Sequence, residues 1–228
     1  ITNPLMPELM RFLSKRDQGR SEAAMGTVWM IVITMMVPAF VILQVFAASF
    51  FHWWARGKIA FDAPFFATIS TGVLVFASAQ PAGAIVRGNN LVKVQFMNSL
   101  LAGSIAVGGT LLLGSKFGLL GVGIALLLSE ITSAIGFRLA ARKWMKANGL
   151  VWATRASISV SLAVLLGAVA MGLIAWIPSS SIWVFIAFVP LISLLVFDYI
   201  RNLPEMAMSR IRSLGMKLPI ARHLVKYV

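Results

Sequence analysis

The sequence predicts an all-α integral membrane protein with six transmembrane helices and both termini on the cytoplasmic side. Three observations carry that expectation. Apolar residues fill 59% of 228 positions and charged residues only 12%, at a mean hydropathy of +0.89. Soluble domains carry about 25% charged residues, and a fold of this size has too little interior to hide the surplus apolar surface, so that surface must face lipid. The apolar residues also gather into long runs at 25–50, 61–86, 94–113, 117–140, 156–177 and 181–200. Each approaches or exceeds the roughly 20 residues that cross about 30 Å of hydrocarbon, with no period-2 alternation of the barrel kind. Finally, 17 of the 20 Lys and Arg residues fall in alternate connections. Basic residues collect on the cytoplasmic side, so this asymmetry sets the orientation and explains the net charge of +13 without any nucleic-acid partner.

Residues 1–24 read as a cytoplasmic basic link, with Arg11, Lys15, Arg16 and Arg20. The chain opens on Ile1 with a charged stretch before its first apolar run, as expected of a piece of a longer protein. The transmembrane bundle is expected to span 25–200. Its first run holds Pro38 and Gln44 and closes on His52, Trp53 and Trp54, aromatic anchors suited to the outer interface. The second carries Thr68, Ser70, Thr71 and Ser78, then Gln80 and Pro81. A proline frees a backbone carbonyl and bends a helix, so Pro38 and Pro81 are hinge candidates. Gln44 and Gln80 are candidate cavity-lining groups, because a buried amide needs partners.

A polar cluster of Arg87, Asn89, Asn90, Lys93, Gln95 and Asn98 opens the third run. Arg87 and Lys93 suit a diphosphate, Arg as a fork and Lys as a point charge, and they also enforce orientation. The fourth run places Gly121, Ala125, Ser129 and Ser133 in a four-residue stripe, a seam for close helix packing. Beside it lies Glu130, about 18 Å in from the outer end of that helix. A carboxylate at this depth costs about 2.5–3.5 kcal/mol on insertion scales. It must face the protein interior or a wet cavity, as an ion or proton site or as a lock between helices. Trp176 closes the fifth run, and Asp198 near the end of the sixth is expected to pair with Arg201. Residues 201–228 read as a basic cytoplasmic tail able to lie on anionic lipid.

Enzyme chemistry is not expected. Cysteine is absent, there are two histidines, His52 and His223, on opposite sides of the membrane, and neither GxxxxGK[ST] nor HExxH occurs. No metal or cofactor is expected beyond a coupling ion, Na+ or H+.

Residues 83–130 read GAIVRGNNLVKVQFMNSLLAGSIAVGGTLLLGSKFGLLGVGIALLLSE. A short polar loop with glycine and a basic residue (Arg87, Gly88, Asn89, Asn90) precedes a helix. A turn at Lys116, Phe117, Gly118 and Gly121 follows, then a small-residue helix ending in Ser129 and Glu130. This order resembles the polysaccharide flippase branch of the multidrug/oligosaccharidyl-lipid/polysaccharide exporter superfamily, and residues 4–26 look like that family's link between its two halves. The resemblance implies the C-terminal half of a protein with two six-helix bundles facing a central cavity. It implies translocation of a polyprenyl-diphosphate-linked oligosaccharide across a bacterial inner membrane by alternating access, in the biosynthesis of polysaccharide such as the O-antigen of lipopolysaccharide. The lipid bilayer, the lipid-linked glycan, the missing N-terminal half and polysaccharide assembly proteins would be its partners. The family often places basic residues in the cavity, whereas no Arg or Lys is expected deep in any span here. A cation-coupled multidrug exporter of the same fold and a non-transporting membrane scaffold or assembly subunit are the alternatives.

Overall fold

A computed structural model describes residues 5–177, 179 and 181–202, with side chains from residue 7 onward. Among these the architecture is all helical, in the order α1 (Leu5–Ser14), α2 (Gln18–Ile31), a π turn (Val32–Met36), α3 (Val37–Trp54), α4 (Ala63–Gly88), α5 (Val92–Ala147), α6 (Thr154–Trp176) and α7 (Ser181–Arg201). Five continuous helical segments are long and apolar enough to cross a membrane: Gln18–Trp54, Ala63–Gly88, Val92–Ala147, Thr154–Trp176 and Ser181–Arg201. The basic tail expected at 201–228 lies, beyond residue 202, outside the described residues.

The stretch read as a link is helical and partly packed. Leu9, Phe12 and Leu13 of α1 are buried, and α2 begins at Gln18, capped by Asp17, whose carboxylate accepts from the Arg20 amide at 3.0 Å. Hydropathy alone starts the first span at 25 because Gln18, Arg20 and Glu22 are polar. The helix nevertheless runs on from Gln18 to Trp54, since Ser21, Ala23, Ala24 and Met25 pack inward. The π turn sits just ahead of Pro38. There the Val37 amide donates five residues back, to Val32, a wider turn of the kind that π bulges insert in helices. Proline has no amide and its ring crowds the carbonyl four residues before it, so a widened turn at this position relieves that conflict.

α4 is the centre of the bundle, packing along α5 and α6, while α3 and α7 pack on α6. Pro81 lies buried inside α4, which continues through it to Gly88. Close to the freed backbone, the Ser78 carbonyl accepts from the indole of Trp29 at 2.8 Å. Trp29 is fully buried and meets Trp152 edge-on at 5.6 Å between ring centroids. The core around them includes Leu13, Ile33, Leu74, Ile85, Met145 and Met171. Phe46, Leu100, Leu111, Leu139, Leu165, Ile182 and Leu194 stay exposed on the outside of the bundle, the pattern expected where lipid, not water, is the solvent.

A straight helix of 56 residues would be about 84 Å long, far more than a bilayer. α5 does not run straight. Gly118 takes φ 58° and ψ −137°, a conformation outside the helix and open to glycine, and splits α5 into arms 92–117 and 119–147. The arms lie against each other. Ser129 Oγ donates to the Ala102 carbonyl at 2.8 Å, and Asn98 Nδ2 donates to the Ser133 carbonyl at 3.1 Å. Gly121 meets the Leu113 backbone and Gly109 meets Ala125 so closely that a side-chain carbon on either glycine would overlap its neighbour. The small stripe of Gly121, Ala125, Ser129 and Ser133 is therefore the seam of a helical hairpin.

Candidate functional site

Two largely apolar clefts, each holding one charged side chain, flank the contact between α4 and the second arm of α5. One is the groove that holds Glu130. It has a volume of about 360 Å³ and is walled by Thr68, Ile69, Val73, Phe76 and Leu127. Gly72 faces the Glu130 stem, which lies at ordinary contact distance, 3.9 Å, from where its Cβ would stand. The hairpin seam points Ser129 at the first arm, which turns the next residue, Glu130, toward α4. The carboxylate is half-buried and makes no hydrogen bond or ion pair with the described residues.

Further along α4, Gln80 and Arg87 come together. The Arg87 guanidinium donates to Gln80 Oε1 at 3.3 Å and lies 5.9 Å from the centroid of the Phe137 ring. Gly83 makes this possible, because a Cβ at that position would stand 3.0 Å from both terminal nitrogens of Arg87. Both residues were candidates from sequence, and the fold joins them at an exposed edge.

The other cleft, between α4, the second arm of α5 and α6, contains a residue that sequence reasoning assigned to a cytoplasmic connection. Arg138 is part-buried beside a space of about 240 Å³ walled by Thr71, Val75, Ser78, Ala134, Ser161 and Val164. Its guanidinium donates to Ser78 Oγ and to Ser161 Oγ, each at 2.8 Å. Its Nε is buried with no acceptor, and no carboxylate pairs with it among the described residues. Arg138 lies nine residues before the end of α5, about 14 Å along the helix, and Ser78 ten residues before the end of α4, about 15 Å. The expectation of no Arg or Lys deep in any span did not single out Arg138, which the fold draws into the contact of three helices.

Side-chain direction is the reason. Every Cα–Cβ bond in a helix leans toward the N-terminus. The second arm of α5 runs toward the basic end of the bundle, so its side chains lean back toward the middle of the bundle. Hydropathy places the span's end near 140, while the helix runs on to Ala147. A serine on each neighbouring helix then holds the guanidinium in place. The signal available in the sequence was Arg138 inside the 117–140 run, together with Ser78 and Ser161 in otherwise apolar helices.

The remaining candidates hold the fold together. Gln44 is buried; its amide donates to the Ala63 carbonyl at 3.2 Å, tying α3 to the start of α4, and its Oε1 has no partner. Asn98 locks the α5 hairpin over Gly136. Lys93 is exposed on the first turn of α5 and meets neither cleft. Asp198 pairs with Arg155 on α6 at 3.3 Å, not with Arg201 as expected from its spacing. No three His, Cys, Asp or Glu side chains converge as a metal site among the described residues.

Comparison with known proteins finds no matching family model, no matching curated protein and no matching solved structure.

Proposed function

We propose that the chain forms one half of a flippase for polyprenyl-diphosphate-linked oligosaccharide in a bacterial inner membrane. Counted as two crossings, the arms of α5 bring the total to six, and both ends of the bundle's chain then fall on the basic, cytoplasmic side. The observation that carries the reading is Arg138. It is a cation held between apolar helices by two neutral hydroxyls, with an open cleft beside it. Charge within a membrane is costly and marks a substrate or ion pathway. A guanidinium is matched to phosphate oxygens, and the diphosphate of a lipid carrier is the anion that such a pathway would move. Arg87, with Gln80, offers a second guanidinium toward the cytoplasmic end. Alternating access across a cavity shared with a second six-helix half would deliver the glycan to the other leaflet, driven by an ion gradient, since no nucleotide-binding loop is present in the sequence.

Depletion of the protein in its parent cell tests this. Lipid-linked precursor should accumulate in the inner leaflet, and re-expressed wild-type chain should clear it while Arg138→Gln does not. An unchanged leaflet distribution on depletion would rule the reading out. A cation-coupled multidrug exporter is the second reading, favoured by the unpaired Glu130 in a groove walled by Phe76, Ile69 and Leu127. Efflux of cationic dyes, abolished by Glu130→Gln, would select it.

A further inference from the structure

At the end of the bundle away from Arg87, Arg142, Lys143, Lys146 and Arg155, α3 and α4 part to leave an apolar cleft of about 530 Å³. Its walls include Leu43, Phe50, Phe51, Trp54, Phe61 and Phe66, with Leu119 from the far side of the α5 turn. The aromatic wall is continuous. Trp54 meets Phe51 at 5.9 Å, Phe51 meets Phe61 at 5.5 Å, and Phe61 meets Phe66 at 5.5 Å between centroids. Rings packed in tilted pairs stiffen one another, so this wall stands formed before anything enters it.

The charge around the cleft is unequal, three cations in the flanking turns against one carboxylate in the wall. Arg56 and Lys58 lie in the turn between Trp54 and Ile59, both of which line the cleft, and Lys116 lies three residues before Leu119, which lines it too. In the sequence these three fall outside the connections that hold the other 17 basic residues, and all three are exposed. Among the described residues the carboxylate at this end is Asp62, which lines the cleft and caps α4, accepting from the Phe65 amide at 2.9 Å. An apolar slot at interface depth, rimmed by three cations and a capped acid, is complementary to an amphiphile with an acyl tail and an anionic head.

We propose that this cleft seats one acyl chain of an anionic phospholipid of that leaflet, with its phosphate held by the Arg56–Lys58 turn and Lys116. The site is independent of the transport reading and requires only that this end of the bundle meets lipid. Native mass spectrometry of the full chain in mild detergent tests it, with phosphatidylglycerol and phosphatidylcholine of matched tails as probes. The wild-type chain should retain one phosphatidylglycerol with a preference of at least about five-fold, roughly the weight of one effective cation at a membrane surface. Replacing Arg56, Lys58 and Lys116 together by Gln should remove the preference, and these exposed positions leave the fold intact. Leu43→Trp, which fills the slot, should lower retention of both lipids without shifting thermal unfolding. Equal retention of the two lipids by the wild type, or a preference surviving in the triple Gln variant, would overturn the assignment. So would displacement of the lipid by inorganic phosphate, which would mean that the head alone binds.

Discussion

Replacing Arg138 by Met separates a functional cation from a structural one. The substitution removes two charge-assisted hydrogen bonds, to Ser78 Oγ and Ser161 Oγ. Such bonds contribute about 1.5–3 kcal/mol each. The low end applies, because both acceptors are neutral hydroxyls that already donate to their own helices, Ser78 to Val75 at 2.7 Å and Ser161 to Ser157 at 2.8 Å. The loss is therefore about 3 kcal/mol, and neither serine is left with an unsatisfied donor. Against it stands relief from holding an unpaired cation within the membrane layer, about 2.5–3.5 kcal/mol on insertion scales. The two terms cancel to within about 1 kcal/mol, so stability should barely move while, on the proposed flippase reading, translocation of the lipid-linked glycan is lost. Reversible unfolding of the chain in lipid nanodiscs or mixed micelles gives the first quantity and leaflet distribution of the precursor in cells gives the second. Destabilisation beyond about 3 kcal/mol would identify Arg138 as a clamp among α4, α5 and α6. Full translocation by the variant would remove it from the pathway.

Three other outcomes follow from the geometry. Gly118→Ala should destabilise the chain by about 1–3 kcal/mol, although no atom lies within 4 Å of the added carbon; Gly103→Ala, equally unobstructed but helical, should be neutral or mildly stabilising in the same unfolding assay. Gly121→Ala should cost more than about 2 kcal/mol and raise solvent exchange along the seam, since its new carbon overlaps the Leu113 backbone. Tyr199→Phe removes a hydrogen bond of 2.6 Å from α7 to the Gly26 carbonyl of α2 and should cost about 1 kcal/mol, whereas Arg155→Ala breaks only an exposed ion pair with Asp198 and should stay within about 1 kcal/mol of zero.

Composition and run length made the helical membrane architecture legible, because lipid exposure is a property of averages. The α5 seam was also readable, since four small residues at four-residue spacing can lie on only one face of a helix. What remained hidden depends on where individual side chains lead. Trp29 looks like one more apolar residue, yet its indole reaches a carbonyl beside Pro81. Asp198 has a basic neighbour three positions on, and the fold gives it Arg155 instead. Glu130 stood out as an acid in an apolar run, while Arg138 was masked by the basic cluster that follows it, where hydropathy reads every cation as a topological marker.

The lean of side chains along a helix makes chain direction a sorting device for guanidinium groups. Arg87 and Arg138 ride on segments that travel toward the cation-rich end, and each reaches backward from its own Cα, Arg87 to Gln80 and Arg138 to Ser78 and Ser161. Arg155 sits at the same end on a segment travelling away from it, and its side chain is 69% exposed. Arg138 and Arg155 thus acquire opposite fates, one held in a cleft between helices and one left at the surface. Reversing the polarity of a segment while keeping its composition would exchange those roles, so a tally of basic residues measures orientation and says little about which of them the bilayer ever meets.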